Sequence, residues 1–172
     1  MDFDKEFQYK EPSLRSSELT NRIGRSGQRA LLYATGMDEE DMKKPLVAVV
    51  NSYSEIVPGH MHLKDLAEQI KLGIAEGGGV PREMGTIAIC DGLCQGHSGM
   101  RYPLPSRDLI ADSIEMAVQA HCFDAMVLIA SCDKIIPGML MAAARINIPS
   151  IIVTGGPMLP GNVGGNALFC SS

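Results

Sequence analysis

The feature that most constrains this chain is a regular alternation between short apolar runs and longer stretches with a helical period. "PLVAVVNSY" (45–53), "GTIAICD" (85–91), "DAMVLIAS" (124–131) and "PSIIVTGG" (149–156) have the length and character of strands. Between them lie "HLKDLAEQIKLGIAEGGG" (62–79), "SRDLIADSIEMAVQAH" (106–121) and "PGMLMAAARIN" (137–147), which read as helices. Glycines close the first of these, and Ser106 is the expected N-cap of the second. The strand runs are apolar throughout instead of alternating, as strands buried on both faces should be. Strand, helix, strand in repetition predicts α/β: an open, mostly parallel sheet with helices on both faces, a three-layer α/β/α sandwich.

Ahead of this pattern, 16–35 reads as one more helix, weakened by Gly24 and Gly27. Residues 1–15 are expected to form a polar N-terminal arm and 16–160 the α/β domain. After Thr154 the sequence turns glycine-rich, and 161–172 is expected as a loop cut short. A long loop with no element after it suggests a fragment, the N-terminal part of a larger two-domain protein.

Composition excludes several functions. The 172 residues are 45% hydrophobic and 20% charged, enough for one sizeable core. A net charge of −5 and a pI near 5.3 leave no basic footprint for nucleic acid. No apolar run has the length to cross a bilayer, and the charged "MDFDKEFQYKEP" is unlike a signal peptide, so a cytoplasmic location is expected. Five cysteines, an odd number, argue for buried thiols or metal ligands over a disulfide framework.

Ligands of open parallel sheets bind at the carboxyl ends of the strands. The unusual residues fall there: "NSYSEIVPGHMH" (51–62), "CDGLCQGHSGM" (90–100), "SCDK" (131–134) and "TGGPM" (154–158). Asp91 and Asp133 each follow an apolar run, and paired carboxylates suit a hard cation such as Mg²⁺. Taken singly, each is equally suited to capping the next element. Cys132 supplies a soft ligand fit for zinc or an iron–sulfur cluster, although a small buried hydrophobe is the commoner fate of one cysteine. Adjacent residues at a strand end point apart, so Cys132 and Asp133 could serve two different metals.

Lys134 is the awkward neighbour. An ammonium 4 Å from a unit charge of like sign costs roughly 4 kcal/mol at an effective dielectric near 20. It can oppose a metal, pair with the two aspartates in place of one, or lose its proton and add carbon dioxide to become an anionic carbamate. Cys90 and Cys94 form a lone pair, weak for zinc. His60, His62 and His97 are candidate polar groups of the site, each more often structural. The glycines between 155 and 165 could let backbone N–H groups approach an anion, but no nucleotide-binding glycine spacing is present. The eleven methionines suit core filling.

Three stretches carry a resemblance. "VVNSYSEIVPGHMHLKDLA" (49–67), "TIAICDGLCQGHSGMRYPLPSRDLIADS" (86–113) and "SCDKIIPGMLMAAARINIPSIIVTGGPM" (131–158) resemble the dihydroxy-acid dehydratase/phosphogluconate dehydratase family, the run CDKxxPGxxxA most specifically. The resemblance implies a hydro-lyase of branched-chain amino-acid biosynthesis that turns a 2,3-dihydroxy carboxylate into a 2-keto acid. It implies Cys132 as a ligand of a 2Fe–2S or 4Fe–4S cluster, and Asp91, Asp133 and carbamylated Lys134 as Mg²⁺ ligands. Members with a 2Fe–2S cluster carry a cysteine where this chain has Gly59, and Cys90 is the implied replacement. The base, a further cluster cysteine and a metal-binding glutamate are implied beyond Ser172, so no catalytic residue is expected within the chain, which should be inactive alone. A homodimer of the whole protein is implied as well. The rival readings are a sugar-acid dehydratase of the same family and a non-catalytic α/β binding module.

Overall fold

The computed structural model describes residues 7–168. Its centre is a sheet of β1 (Leu46–Asn51), β2 (Val80–Gly85), β3 (Ala125–Ala130) and β4 (Ser150–Thr154), in the order β2-β1-β3-β4 with every pair parallel. Parallel neighbours need crossovers, and three helices supply them. Helix α3 (Leu63–Glu76), built on Leu63, Leu66, Ala67, Ile70 and Ile74, packs with Val49, Val127 and Ile129 on one face. Helices α5 (Ser106–Ala120) and α6 (Ile135–Ile146) cover the other face, where Ile110, Ile114, Val118, Ile135 and Met139 close over Ala48, Val50, Met126 and Leu128. The expected α/β sandwich with helices on both faces is therefore present.

Four expectations differ in detail. The second strand is Val80–Gly85, not 85–91. It lies at the sheet edge, which is why it tolerates Pro81 and the charged pair Arg82 and Glu83. Its ladder ends where β1 ends, at the pairing of Asn51 with Gly85, so the apolar 86–90 has no strand to extend. The helix expected over 16–35 is broken into α1 (Ser17–Thr20) and α2 (Ser26–Ala34), with Arg22 at φ 73° between them. Arg29 makes the break possible by donating to the Thr20 and Arg22 carbonyls, at 2.8 and 2.7 Å. Ser106 is the first helical residue instead of the cap, and its hydroxyl donates back to the Pro103 carbonyl at 2.6 Å. The expected loop 161–172 holds a small hairpin of β5 (Gly161–Val163) and β6 (Asn166–Leu168). Gly164 and Gly165, at φ 58° and 84°, make its two-residue turn, as the right-handed twist of a hairpin requires. Residues 169–172 of that call, and 1–6 of the arm, lie outside the described residues.

Residues 7–15 of the expected arm are tied to the domain. Asn21 accepts from the Tyr9 and Lys10 amides at 3.0 and 3.2 Å and donates to the Lys10 carbonyl at 2.8 Å. Lys10 is buried and donates to Ser16 Oγ and the Lys44 carbonyl, both at 2.8 Å. Burial pushes its pKa down, against the pull of Asp124. Asp124 is the hub that joins this segment to the sheet. It accepts from the Ser16 amide (3.0 Å), the Ser16 hydroxyl (2.5 Å) and the Leu46 amide (2.7 Å).

Asp124→Ala strands three donors in a partly buried setting, and each lost partner costs about 1–3 kcal/mol. The expected loss is about 3–5 kcal/mol, near the lower end of that sum because the setting is only partly buried, with Asp124→Asn milder. Urea denaturation measures it; a midpoint equal to wild type would rule out the hub.

Candidate functional site

Because all four strands run parallel, their carboxyl ends share one edge. The 51–62 loop, the 86–91 segment, the 131–134 turn and the 155–158 loop all issue from it. Between β2 and β3 stands β1, so Asp91 can approach β3 only if the chain crosses the end of β1. Residues 86–90 provide that crossing. Thr86 N–H bonds the Asn51 carbonyl at 3.0 Å, and Ala88 packs on the core. Five extended residues span about 17 Å, ample for two interstrand spacings of about 4.8 Å each.

The crossing delivers Asp91, first residue of α4 (Asp91–Cys94), to Lys134 Nζ at 3.2 Å. Asp133 bonds the same ammonium. Hydrogen bonds donated to Asp133 first and Asp91 second push the Lys134 pKa up, so the amine is charged here. Of the three roles open to Lys134, the structure holds the ion pair with both aspartates. Two carboxylates from different strand ends thus converge on one cation. Paired carboxylates are oxygen donors of the kind that could hold a hard divalent ion.

Strand β3 ends at Ala130, so Cys132 and Asp133 occupy a turn and the alternation of a strand does not govern them. They diverge nonetheless. Cys132 packs against the core, whereas the Asp133 side chain is 66% exposed. Burial, then the neighbouring Cys90, Asp91 and Asp133, push the Cys132 thiol up to about 11. Cys90 and Cys132 are therefore near enough to feel one another's charge. A neutral, half-buried thiol binds metal only by giving up its proton, so a cation must supply the driving force. Among the described residues no three His, Cys, Asp or Glu side chains form a ready metal cluster. The site offers a two-carboxylate half and a two-thiol half.

The remaining candidates divide. His97 caps the 98–101 turn, accepting from the Gly99 amide at 3.0 Å and donating to the Leu93 carbonyl at 2.9 Å. Cys94 faces that turn too, its Sγ 3.6 Å from where a Gly99 Cβ would stand. His62 donates to the Gly155 carbonyl at 2.8 Å. Gly155 is needed for close approach, not for an anion: a Cβ there would collide with Ser131 Oγ, Leu63 and His62, while its amide serves the Ala130 carbonyl at 3.0 Å. Gly59 is buried, and a Cβ there would meet only Ser131 Cβ, at 3.8 Å, which places position 59 against the residue preceding Cys132.

His60 is fully buried and touches both Ser52 and the Cys132 amide. Sequence reasoning passed over Ser52 and Ser131. The Ser131 hydroxyl is buried without a partner among the described residues, an orphaned polar atom beside the thiol. The reading also missed an apolar groove of about 650 Å³ beside the end of β4, lined by Pro58, Met61, His62, Pro157, Met158 and Leu159. The exposed "PMLP" run was its one visible signal.

A family model described as "Dihydroxy-acid/6-phosphogluconate dehydratase N-terminal" matches residues 44–171. The chain is 55% identical over 155 residues to the dihydroxy-acid dehydratase of Clostridium novyi, covering 90% of this chain and 28% of the relative. It is 59% identical over 150 residues to dihydroxy-acid dehydratase 1 of Methanosarcina acetivorans, covering 87% and 27%. It is 55% identical over 152 residues to the Pyrococcus abyssi dihydroxy-acid dehydratase, covering 88% and 28%. The chain therefore spans a little over a quarter of the length of these relatives.

A thiol raised to about 11 is scarcely ionised at pH 8. In metal-free protein Cys132 should react with iodoacetamide about 100 times more slowly than an unperturbed thiol, because so little of it is thiolate. Mass-spectrometric quantification of alkylated Cys132 against time checks this; an ordinary rate would mean the thiol is not desolvated.

Proposed function

The chain belongs to the dihydroxy-acid/6-phosphogluconate dehydratase family, and on that premise we propose that it is the N-terminal part of a hydro-lyase. The whole enzyme removes water from a 2,3-dihydroxy carboxylate to give, through the enol, a 2-keto acid. It acts in the cytoplasm as a homodimer, in branched-chain amino-acid biosynthesis, with 16–160 as the N-terminal part of the dehydratase domain. The four described cysteines are free thiols, in keeping with a reducing compartment. The observation that carries the reading is the convergence of Asp91 and Asp133, from separate strand ends, on a single positive charge beside the Cys90 and Cys132 pair.

In this proposal Asp91 and Asp133 hold Mg²⁺, and Cys132 with Cys90 holds an iron–sulfur cluster completed by residues from the rest of the protein. Metals held by these residues would supply Lewis acidity for the developing C2 negative charge and for loss of the C3 hydroxyl. Lys134 has two states. As an ammonium it offsets one of the two aspartate charges. After losing a proton and adding carbon dioxide, with release of a second proton, it becomes a carbamate, a further anionic oxygen donor. Opposed soft and hard ligands on one turn bring both centres within reach of one small substrate. The base that takes the C2 proton belongs to the remainder of the enzyme, so the 172 residues alone do not turn over.

Relatives named dihydroxy-acid dehydratase favour that substrate class, while the family description keeps a sugar-acid dehydratase as the second reading. The full-length protein, prepared without air, should dehydrate dihydroxyisovalerate in preference to gluconate; the reverse preference selects the second reading, and inertness to both leaves a binding module. Asp133→Asn in that protein should lower kcat by about 10³-fold, the scale of losing one preorganised charge-stabilising group. The visible absorbance of the cluster should persist; its disappearance would assign Asp133 to the cluster instead.

A further inference from the structure

We infer that His60 is a positioning residue for the Cys132 thiol, acting through the Cys132 main-chain amide; the inference rests on the reading of Cys132 as an iron–sulfur ligand. His60 has no exposed surface, and a buried imidazole is costly unless both nitrogens find partners. Both do. Nε2 lies 3.2 Å from the Cys132 amide nitrogen, and Nδ1 lies 2.8 Å from the Ser52 carbonyl and 3.0 Å from the Ser52 hydroxyl. A backbone N–H only donates, so Nε2 is the acceptor and the ring proton sits on Nδ1, where the Ser52 carbonyl receives it. One tautomer satisfies the whole arrangement. Ser52 is fixed in turn, its amide and hydroxyl both donating to the Ile129 carbonyl at 3.2 and 2.7 Å.

The imidazole is thus a strut between the exit of β1 and the exit of β3. Its partner atom is the informative one. The Cys132 carbonyl is taken by the amides of Ile135 and Ile136, at 3.1 and 3.0 Å, at the start of α6. With the amide held by His60, the peptide groups on both sides of the Cys132 Cα are anchored. Only the thiol's rotamer is left free. An apolar residue at 60 would fill the same volume and leave the Cys132 N–H unpaired. Outer partners that orient a metal ligand are commonly worth 10–100-fold in metal affinity.

Three substitutions in the full-length protein separate positioning from packing. His60→Gln places a carbonyl oxygen near the Nε2 position and can still receive the Cys132 amide. His60→Asn keeps a donor at the Nδ1 level but is too short to reach Cys132, and His60→Leu keeps neither. Thermal melting identifies the folded variants, and all spectra are taken below the lowest melting temperature. The reconstituted Gln variant should match wild type in visible and paramagnetic-resonance spectra. The Asn and Leu variants should lose iron to a chelator about 10–100 times faster, with altered spectra.

Folded Asn and Gln variants that lose iron at one rate, with one spectrum, would overturn the inference and leave His60 as a core plug. Wild-type protein that takes up no iron would instead overturn the reading of Cys132, and the inference with it. Should the variants not fold, hydrogen exchange on wild-type protein decides: a protected Cys132 amide supports the strut, and a freely exchanging one refutes it.

Discussion

An all-parallel sheet has its strand carboxyl ends along one edge, and almost everything distinctive about this chain follows from that constraint. Right-handed crossovers return each strand to the same starting side, so the segments leaving the strands meet at the opposite side. The order β2-β1-β3-β4 adds a second demand, since the two aspartates leave from strands that are not neighbours. The extended 86–90 segment meets it by running over the end of β1. Without that crossing Asp91 would stay at the sheet edge, and Lys134 would have one carboxylate instead of two.

The edge is assembled in a form that offsets part of its own charge. Lys134 lies between two carboxylates that would otherwise repel each other, and the Cys132 thiol is neutral where burial and nearby negative groups oppose a thiolate. The polar groups beneath are paired in the same economical way. His60 joins Ser52 to Cys132 with one tautomer, and His62 joins the 62 position to Gly155. The Ser131 hydroxyl is the exception, placed beside the thiol with no protein partner among the described residues. These bonds hold the main chain around Cys132 and Gly155 in place.

Much of this was legible from residue pattern. The strands 45–53, 124–131 and 149–156 and the three crossover helices stand where the apolar runs and helical periods place them. Burial on two faces explains the signal for the central strands β1 and β3, but not for β4, an edge strand whose Ile151 is 64% exposed. Edge strand β2 was missed because its residues, Val80, Pro81, Arg82, Glu83 and Met84, carry no such signal. The apolar 86–90 was mistaken for it, since segments packed over a sheet end are apolar for the same reason as strands. The break at Arg22 was hidden because its cause, the Arg29 guanidinium on two carbonyls, is a side-chain contact seven to nine residues away.

Local composition determined the α/β class, the order of the crossovers and the placing of Cys132, Asp133 and Lys134 just past β3, for each of these depends on periodicity along the chain; Asp91, six residues past the end of β2, joins them only through the tertiary crossing of 86–90. Tertiary structure decided the rest: that Lys134 pairs with both aspartates, that His60 reaches the Cys132 amide across 72 residues, and that Asp124 binds the N-terminal segment to the sheet. Those contacts join residues far apart in the chain, and their geometry follows from the packing of the whole sheet. No local run of side chains encodes it.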